Sequence, residues 1–317
     1  MDLLAAAAGL AILLGAGDAL VRGAVGLSLR LGIPALLVSL TVVAFGTSAP
    51  ELLIAVKGAL DGATGIVYGN VVGSNIANVL LVLGIPAIIS RLDSRDCDSL
   101  RNFWMMIAVS VIFIGLCFAG PLDGPHGMVL LVLLGMMLYD NFRSAQKARA
   151  ETPEALPDGV EPEDVEQPPW RIALFLGLGM IGLPLGAHLL IDGAQGLAQD
   201  MGVSEAAIGL TLVAIGTSLP ELATTVVAAM RRHADVAIGN VIGSNLFNLA
   251  AVMGVASVVA PLPVPPSFLS LDLWVMLAVS ALLYPFVCRI ARMGRRVGMG
   301  FLAIYAVYAV VVLAPQM

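Results

Sequence analysis

The sequence predicts an all-α, polytopic membrane protein with ten transmembrane helices, arranged as two inverted repeats of five helices each. Three observations predict this fold class. Of the 317 residues, 59% are hydrophobic and only 12% are charged, whereas roughly 25% of the residues of a soluble domain are charged. Ten apolar runs are each about twenty residues long, which is the length that spans a bilayer. Two phrases of the sequence also occur twice, at one common spacing.

The ten apolar runs fall into two groups of five. The first group lies near residues 3–29, 36–58, 64–89, 103–120 and 125–141. The second group lies near residues 171–198, 206–229, 236–260, 272–288 and 298–315. The N-terminus has no basic segment and carries Asp2 before the first run, so we expect a spanning helix rather than a cleaved signal peptide.

The segment between the two groups is rich in proline and acidic residues. This composition is typical of a solvated, flexible linker. Acidic clusters can also bind Ca²⁺, but this one lacks the Asp/Asn–Gly loop of an EF-hand, which favours the linker over a regulatory ion site. The sequence therefore predicts a first repeat over 1–143, a cytoplasmic linker over 144–169 and a second repeat over 170–317.

The basic residues predict the orientation of the chain. If the N-terminus is outside, 15 of the 16 Lys and Arg residues lie in or beside cytoplasmic connections, and only Lys57 lies on the other side. This is the bias described by the positive-inside rule, so we expect both termini on the non-cytoplasmic side of the cell (inner) membrane. Because five is an odd number, the second repeat crosses in the opposite sense to the first. Inverted repeats are typical of secondary transporters with a site at the membrane midplane.

The repeated phrases contain two glutamates. LTVVAFGTSAPEL (40–52) matches LTLVAIGTSLPEL (210–222) at 10 of 13 positions, and GNVVGSNIAN (69–78) returns as GNVIGSNLFN (239–248). We expect Glu51 and Glu221 to be the only carboxylates deep inside apolar helices. A charge at membrane depth costs at least about 2.5 kcal/mol, so such residues indicate function. Pro50 and Pro220 each remove a backbone donor, and we expect helices 2, 3, 7 and 8 to be broken.

Further oxygen-bearing residues accompany each glutamate. Thr47 and Ser48 precede Glu51 by one turn, on its face of the helix. The matching residues before Glu221 are Thr217 and Ser218. In the second phrase, polar residues recur every four positions as a stripe; they are Asn70, Ser74 and Asn78, with the twins Asn240, Ser244 and Asn248.

This set of carboxylates, hydroxyls and amides predicts the class of ligand. Hard oxygen donors suit Ca²⁺ or Na⁺, whereas Mg²⁺ prefers to keep its waters, and zinc or copper would require imidazole or thiolate. Two carboxylates balance one Ca²⁺ or two Na⁺, so the two ions would compete. The chain has no GxxxxGK[ST] phosphate-binding loop, so an ion gradient rather than ATP is the expected driving force.

These paired motifs resemble the α-repeats of the cation/Ca²⁺ exchanger superfamily, close to its prokaryotic Na⁺/Ca²⁺ exchanger branch. The resemblance implies that Glu51 and Glu221 bridge Ca²⁺ and Na⁺. It implies that Thr47 and Thr217 coordinate through backbone and hydroxyl oxygens. The other implied ligands are the Na⁺-site serines, two alanine carbonyls and a central polar pair: Ser48, Ser218, Ser74, Ser244, Ala44, Ala214, Asn78 and Asn248. Some relatives carry Asp at the position of Asn248, so this chain has one titratable group fewer.

The expected function is a Na⁺/Ca²⁺ antiporter that works by alternating access, with H⁺/Ca²⁺ exchange at the same site as the alternative. A passive Ca²⁺ channel is a further alternative. An intramembrane hydrolase would need a nucleophile or an activated water, and no such motif is present. We therefore expect no enzyme and no cofactor. The expected partners are the transported ions and the lipid bilayer, with no nucleic acid, nucleotide or obligate protein partner.

Two charged pairs lie outside the repeated phrases. Asp18–Arg22 and His188–Asp192 are spaced i, i+4 on the first and sixth helices, which allows local pairing. The resemblance makes these two helices a sliding gate, but a neutralised pair near the membrane interface is the favoured interpretation.

Overall fold

The computed structural model describes residues 2–92, 98–151, 167–200, 216–288 and 290–313. In these ranges the chain is helical. The same ranges contain no β-strand; they contain two isolated bridges, which join Leu92 to Met293 and Leu122 to Leu262. The all-α class is thus confirmed for the described residues.

Eleven helical segments follow one another in the described ranges. In chain order they are α1 (Asp2–Leu31), α2 (Ala35–Thr47), α3 (Ala49–Leu60), α4 (Thr64–Ile89), α5 (Asp98–Ala119), α6 (Gly124–Glu151), α7 (Pro169–Asp200), α8 (Leu219–Met230), α9 (Ala234–Val259), α10 (Phe268–Val287) and α11 (Arg295–Leu313). Helix α6 runs past the predicted end at residue 141, into the segment expected to be a linker. Residues 152–166 of that segment lie outside the described residues.

Eight of these helices are long and apolar enough to cross a membrane, and the bent pair α2–α3 makes a ninth span. The remaining predicted span, the seventh, covers 206–229. Its first ten residues lie outside the described ranges, and α8 is the described remainder. The count of ten helices therefore stays a prediction.

The predicted break in the second span lies at Ser48. The axes of α2 and α3 meet at 46°, and Pro50 occupies the first turn of α3. Ser218 has nearly the same backbone angles as Ser48, and Pro220 opens α8 in the same way. Because a proline at the start of a helix has no N–H to satisfy, both helices can begin here within the phrase.

The third and eighth predicted spans are not broken in this way, which corrects the sequence-based expectation. Helices α4 and α9 instead contain a π-helical turn at Asn78–Val82 and Asn248–Val252. Neither turn contains a proline, and the helix widens there rather than stopping; in α4 the nearest proline, Pro86, lies four residues beyond Val82.

Helices α4 and α9 form the centre of the molecule. Their most apolar stretches are 72% and 83% buried, compared with 33% for α1 and 22% for α7. Helices α1 and α7 pack against each other in antiparallel sense. A Cβ atom on Gly9 would lie 2.4 Å from the backbone nitrogen of Leu190, and one on Gly193 would lie 2.4 Å from that of Ala6. Glycine is therefore required for the observed approach of the two backbones.

Candidate functional site

The two glutamates open two different helices. Glu51 lies in the first turn of α3 and Glu221 in the first turn of α8, and both side chains are fully buried. The amino-terminal end of a helix carries free N–H groups and a partial positive charge, which favours a carboxylate there. The local sequence thus places each negative charge where a helix tolerates it.

Ser48 brings the two halves together. A serine just before a helix commonly caps that helix with its hydroxyl, but Ser48 makes no such bond to α3. Its Oγ instead donates to Glu221 Oε1 at 3.4 Å. A residue in the first copy of the glutamate phrase (40–52) therefore contacts the carboxylate in its second copy (210–222).

The GNVxGSN phrase on α9 supplies contacts beside the two glutamates. Thr47 Oγ1 lies 3.4 Å from Ser244 Oγ and 3.5 Å from Asn240 Oδ1, which joins the end of α2 to the middle of α9. The three side chains are buried.

Two asparagines hold the backbone of the glutamates in equivalent ways. Asn70 Nδ2 donates to the carbonyl oxygen of Glu51 at 3.0 Å. Asn240 Nδ2 approaches the carbonyl oxygen of Glu221 at 3.5 Å and Thr225 Oγ1 at 3.2 Å. The two halves are thus built on one plan, with shorter contacts in the first.

Several oxygens of this region are buried and have no hydrogen-bond partner among the described residues. They are both carboxylate oxygens of Glu51, Oε2 of Glu221, Oδ1 of Asn78, Oδ1 of Asn248 and Oγ of Ser218. An unsatisfied buried polar atom is costly. Oxygen acceptors of this kind are the ligands that Ca²⁺ and Na⁺ prefer. The arrangement can therefore hold a hard cation.

The remaining predicted ligands have different surroundings. The carbonyl oxygen of Ala44 accepts from Thr47 Oγ1 at 3.3 Å and from the amide of Ser48 at 3.0 Å. The Ser74 hydroxyl donates to the carbonyl oxygen of Asn70 on its own helix. Thr217 is buried and lines a neighbouring cavity. Ala214 lies outside the described residues.

Sequence reasoning missed Asn75 and Asn245. They are buried where α4 crosses α9, and they bond to Asn248 and Asn78 of the predicted set. The only signal in the sequence is that both asparagines lie inside the repeated phrase GNVxGSN. The spacing of four residues that defines the polar stripe passes over them.

A cavity of about 260 Å³ opens beside the glutamate-bearing turns. Pro50, Thr217 and Pro220 line its inner end, and His188 on α7 lies along its wall. The His188–Asp192 pair is present at 3.4 Å and is well exposed. The cavity therefore lies between α7 and the first turns of α3 and α8, and neither glutamate lines it.

The charges outside the site are more connected than the sequence predicts. Asp18 pairs with Arg22 at 3.0 Å, as expected from their spacing, and also with Arg231 at 2.6 Å. Among the described residues, Asp272 is a third buried carboxylate, but it lies near the start of α10, so the expectation about carboxylates deep inside apolar helices stays a prediction. It accepts a hydrogen bond from Tyr308 Oη at 2.8 Å. Asp272 is thus satisfied within the protein, whereas three of the four glutamate oxygens have no donor among the described residues.

Comparison with known proteins finds relatives over nearly the whole chain. Residues 1–142 and 171–314 match the family described as sodium/calcium exchanger protein. The inner membrane protein YrbG of Escherichia coli is 34% identical, over 92% of this chain and 90% of that protein. The sodium/calcium exchanger MaX1 of Methanosarcina acetivorans is 29% identical, over 96% of each chain.

Solved structures show the same similarity. The sodium-calcium exchanger NCX_Mj, soaked with zero Na⁺ and Ca²⁺, matches with a TM-score of 0.82 and 31% identity, over 96% of this chain and 97% of that one. The family match leaves out residues 143–170.

Proposed function

The chain belongs to the sodium/calcium exchanger family, and from this premise we propose that it is a secondary antiporter that exchanges Na⁺ for Ca²⁺ by alternating access. It is a multi-pass integral membrane protein, and its family membership makes it a transporter rather than an enzyme, as expected from the sequence. Its resident membrane would be the cell (inner) membrane, with both termini on the non-cytoplasmic side.

The observation that carries the proposal is the pair of buried carboxylates, one from each copy of the glutamate phrase. Ser48, in the first copy, donates a hydrogen bond to Glu221 in the second copy. The carboxylate of Glu51 has no donor among the described residues. Two buried negative charges, with one donor among the described residues for their four oxygens, need positive charge to be stable. One Ca²⁺ or two Na⁺ supply two positive charges, so occupancy by one ion excludes the other and couples their transport.

The proposed ligands are the residues implied by the family motifs. Glu51 and Glu221 bridge the ions, and the other members of the set are Thr47, Thr217, Ser48, Ser218, Ser74, Ser244, Asn78, Asn248, Ala44 and Ala214. In this proposal the repeats 1–143 and 170–317 cross the membrane in opposite senses, and the ten helices include one that begins before residue 216. The site then lies near the midplane, where the two repeats meet.

Movement of α1 and α7 would give the two sides alternate access. These helices are less buried than α4 and α9, and the cavity beside Thr217 lies against α7. A shift of this pair across the central helices would open one path as it closes the other, while the ligands stay in place.

A vesicle assay tests the proposal. Everted vesicles or proteoliposomes containing the purified protein are loaded with Na⁺ and diluted into Na⁺-free medium with labelled Ca²⁺. We expect Ca²⁺ to accumulate against its gradient, and uptake to stop when Na⁺ is equal on both sides.

Two controls separate the alternatives. Uptake driven by a pH gradient and indifferent to Na⁺ would replace Na⁺ by H⁺ as the coupling ion. Leak without accumulation under any gradient would indicate a channel and refute the antiporter.

A further inference from the structure

Four asparagines meet where α4 crosses α9. Asn78 and Asn248 belong to the proposed site, whereas Asn75 and Asn245 lie one turn earlier on the same two helices. All four side chains are at most 1% exposed. Their hydrogen bonds run between the two repeats rather than within one.

The direction of the Asn245 amide is set by the backbone. Asn245 Nδ2 donates to the carbonyl oxygen of Asn75 at 3.2 Å. A carbonyl oxygen can only accept, so the NH₂ end of Asn245 must face it and the Oδ1 end must face the other way. That Oδ1 accepts from Asn78 Nδ2 at 3.0 Å. The Asn78 amide is therefore oriented too, with its Oδ1 left buried and without a donor among the described residues.

The second half repeats the arrangement with the roles exchanged. Asn75 Nδ2 donates to the carbonyl oxygen of Asn245 at 3.2 Å. Asn75 Oδ1 accepts from Asn248 Nδ2 at 3.1 Å. Asn248 Oδ1 is likewise buried, with no donor in the described part of the chain.

We propose that Asn75 and Asn245 are positioning residues, which orient the amides of Asn248 and Asn78 so that oxygen rather than NH₂ faces the transported cation. The two ends of an amide have nearly the same shape but opposite polarity. Without the bond from its positioning partner, a site amide can turn its N–H groups towards the cation. The inference rests on the proposed function, and it means that each repeat orients the amide ligand of the other.

A role only in helix packing would give different results. Loss of packing lowers the amount of folded protein and affects every measured property. Loss of amide orientation weakens ion binding while the folded protein still turns over when saturated. The apparent KM and the maximal rate, measured separately, therefore distinguish the two roles: a rise in KM alone indicates lost orientation, and a fall in maximal rate indicates lost packing.

The test uses the purified full-length variants Asn75→Ala and Asn245→Ala, with Ca²⁺ as the probe. We expect the Kd for Ca²⁺ by calorimetry, and the apparent KM in Na⁺-driven uptake, to rise about three- to tenfold, the range equivalent to one lost hydrogen bond. The maximal rate should stay within about twofold of wild type. Ser257→Ala is the matched control, because it removes a buried hydroxyl of α9 that, within the described part of the chain, bonds to the carbonyl oxygen of Met253 on its own helix.

Double variants test the pairing itself. In an Asn78→Ala background, adding Asn245→Ala should change the Kd no further, since its target amide is already gone. In an Asn248→Ala background, the same change should still weaken binding. If an alanine variant fails to fold, Asn75→Ser or Asn245→Ser takes its place, because serine is too short to reach both the facing carbonyl and the site amide.

The outcomes distinguish this inference from the proposed function. Wild-type protein that neither binds Ca²⁺ nor exchanges it would overturn the proposed function and the inference together. Wild-type exchange with unchanged Kd in the asparagine variants, or additive effects in both double variants, would overturn the inference alone.

Discussion

The helices that carry the repeated phrases differ from the α1–α7 pair in what holds them together. Between α4 and α9, four side-chain hydrogen bonds join buried asparagines of the two repeats. Between α1 and α7, glycines allow backbones to meet directly, as at Gly9 and Gly193. Hydrogen bonds between specific amides fix one register, whereas smooth contacts between small residues allow close approach without fixing it. In the proposed mechanism, the amide-bonded crossing of α4 and α9 is the rigid centre and the α1–α7 pair is the part that shifts across it.

The strongest way to break this comparison is to remove a charge from the centre. We expect Glu51→Gln or Glu221→Gln to lower Na⁺-driven Ca²⁺ uptake by at least about 100-fold, because one carboxylate leaves a divalent ion uncompensated in a buried site. Thermal unfolding in detergent should show folded protein. Asp272→Asn is the matched control, since Tyr308 already satisfies that buried acid. Near-normal flux in either glutamine variant would refute the shared site.

A methyl group in the α1–α7 contact should have the next largest effect. Gly193→Ala would place its Cβ 2.4 Å from the backbone nitrogen of Ala6, whereas a Cβ on Gly177 of the same helix meets nothing within 4 Å. We expect Gly193→Ala to lower the maximal transport rate about tenfold, because the two backbones must separate. Gly177→Ala should transport normally, and the two variants share the same gain in helix propensity. Equal rates would show that close contact does not matter for movement.

A further prediction concerns the ion pair that joins Asp18 of α1 to Arg231, the residue directly after α8. Asp18 contacts Arg231 at 2.6 Å, with both side chains partly exposed. A partly exposed pair contributes about 1 kcal/mol or less, so we expect Asp18→Asn to change the apparent KM for Ca²⁺ about two- to fivefold by shifting the balance between conformations. Uptake should be measured from each membrane face. A change of the same sign and size from both faces would argue against a conformational role.

The smallest effect is expected outside both regions. Tyr308→Phe removes the hydrogen bond to Asp272, worth about 1 kcal/mol. The melting temperature should fall by a few degrees, while the apparent KM for Ca²⁺ stays at the wild-type value. A selective change in ion affinity would instead place Asp272 within the transport path.

The fold and the outline of the site follow from repetition in the sequence. Two matching phrases with buried glutamates predict that α3 and α8 begin alike, and the contact of Ser48 with Glu221 agrees with their meeting. The contacts that the sequence did not predict depend on how the helices cross. Asn75 and Asn245 face each other only because α4 and α9 pack at one register, and the long-range partner of Asp18 depends on where α8 ends. Such contacts join residues more than 160 positions apart, beyond the reach of periodicity.

The breaks expected in the third and eighth spans show a second limit. Proline predicts an interruption because it lacks a donor, as at Pro50. A π-helical turn has no equivalent residue type, and the segments Asn78–Val82 and Asn248–Val252 contain no proline or glycine. A local pattern of hydrophobic residues therefore could not show that the helices widen there.

Each π-helical turn also divides its central helix into two parts, and the side chains of one part are rotated about the helix axis relative to those of the other. A π-helical turn holds one residue more than an α-helical turn, and one residue corresponds to a rotation of about 100°. In α4 the residues after Val82 are therefore rotated relative to the face that carries Asn70 and Ser74. Deleting a single residue between 79 and 82 would restore α-helical phase and turn the whole remainder of the helix, so the position of each later side chain depends on one residue of length.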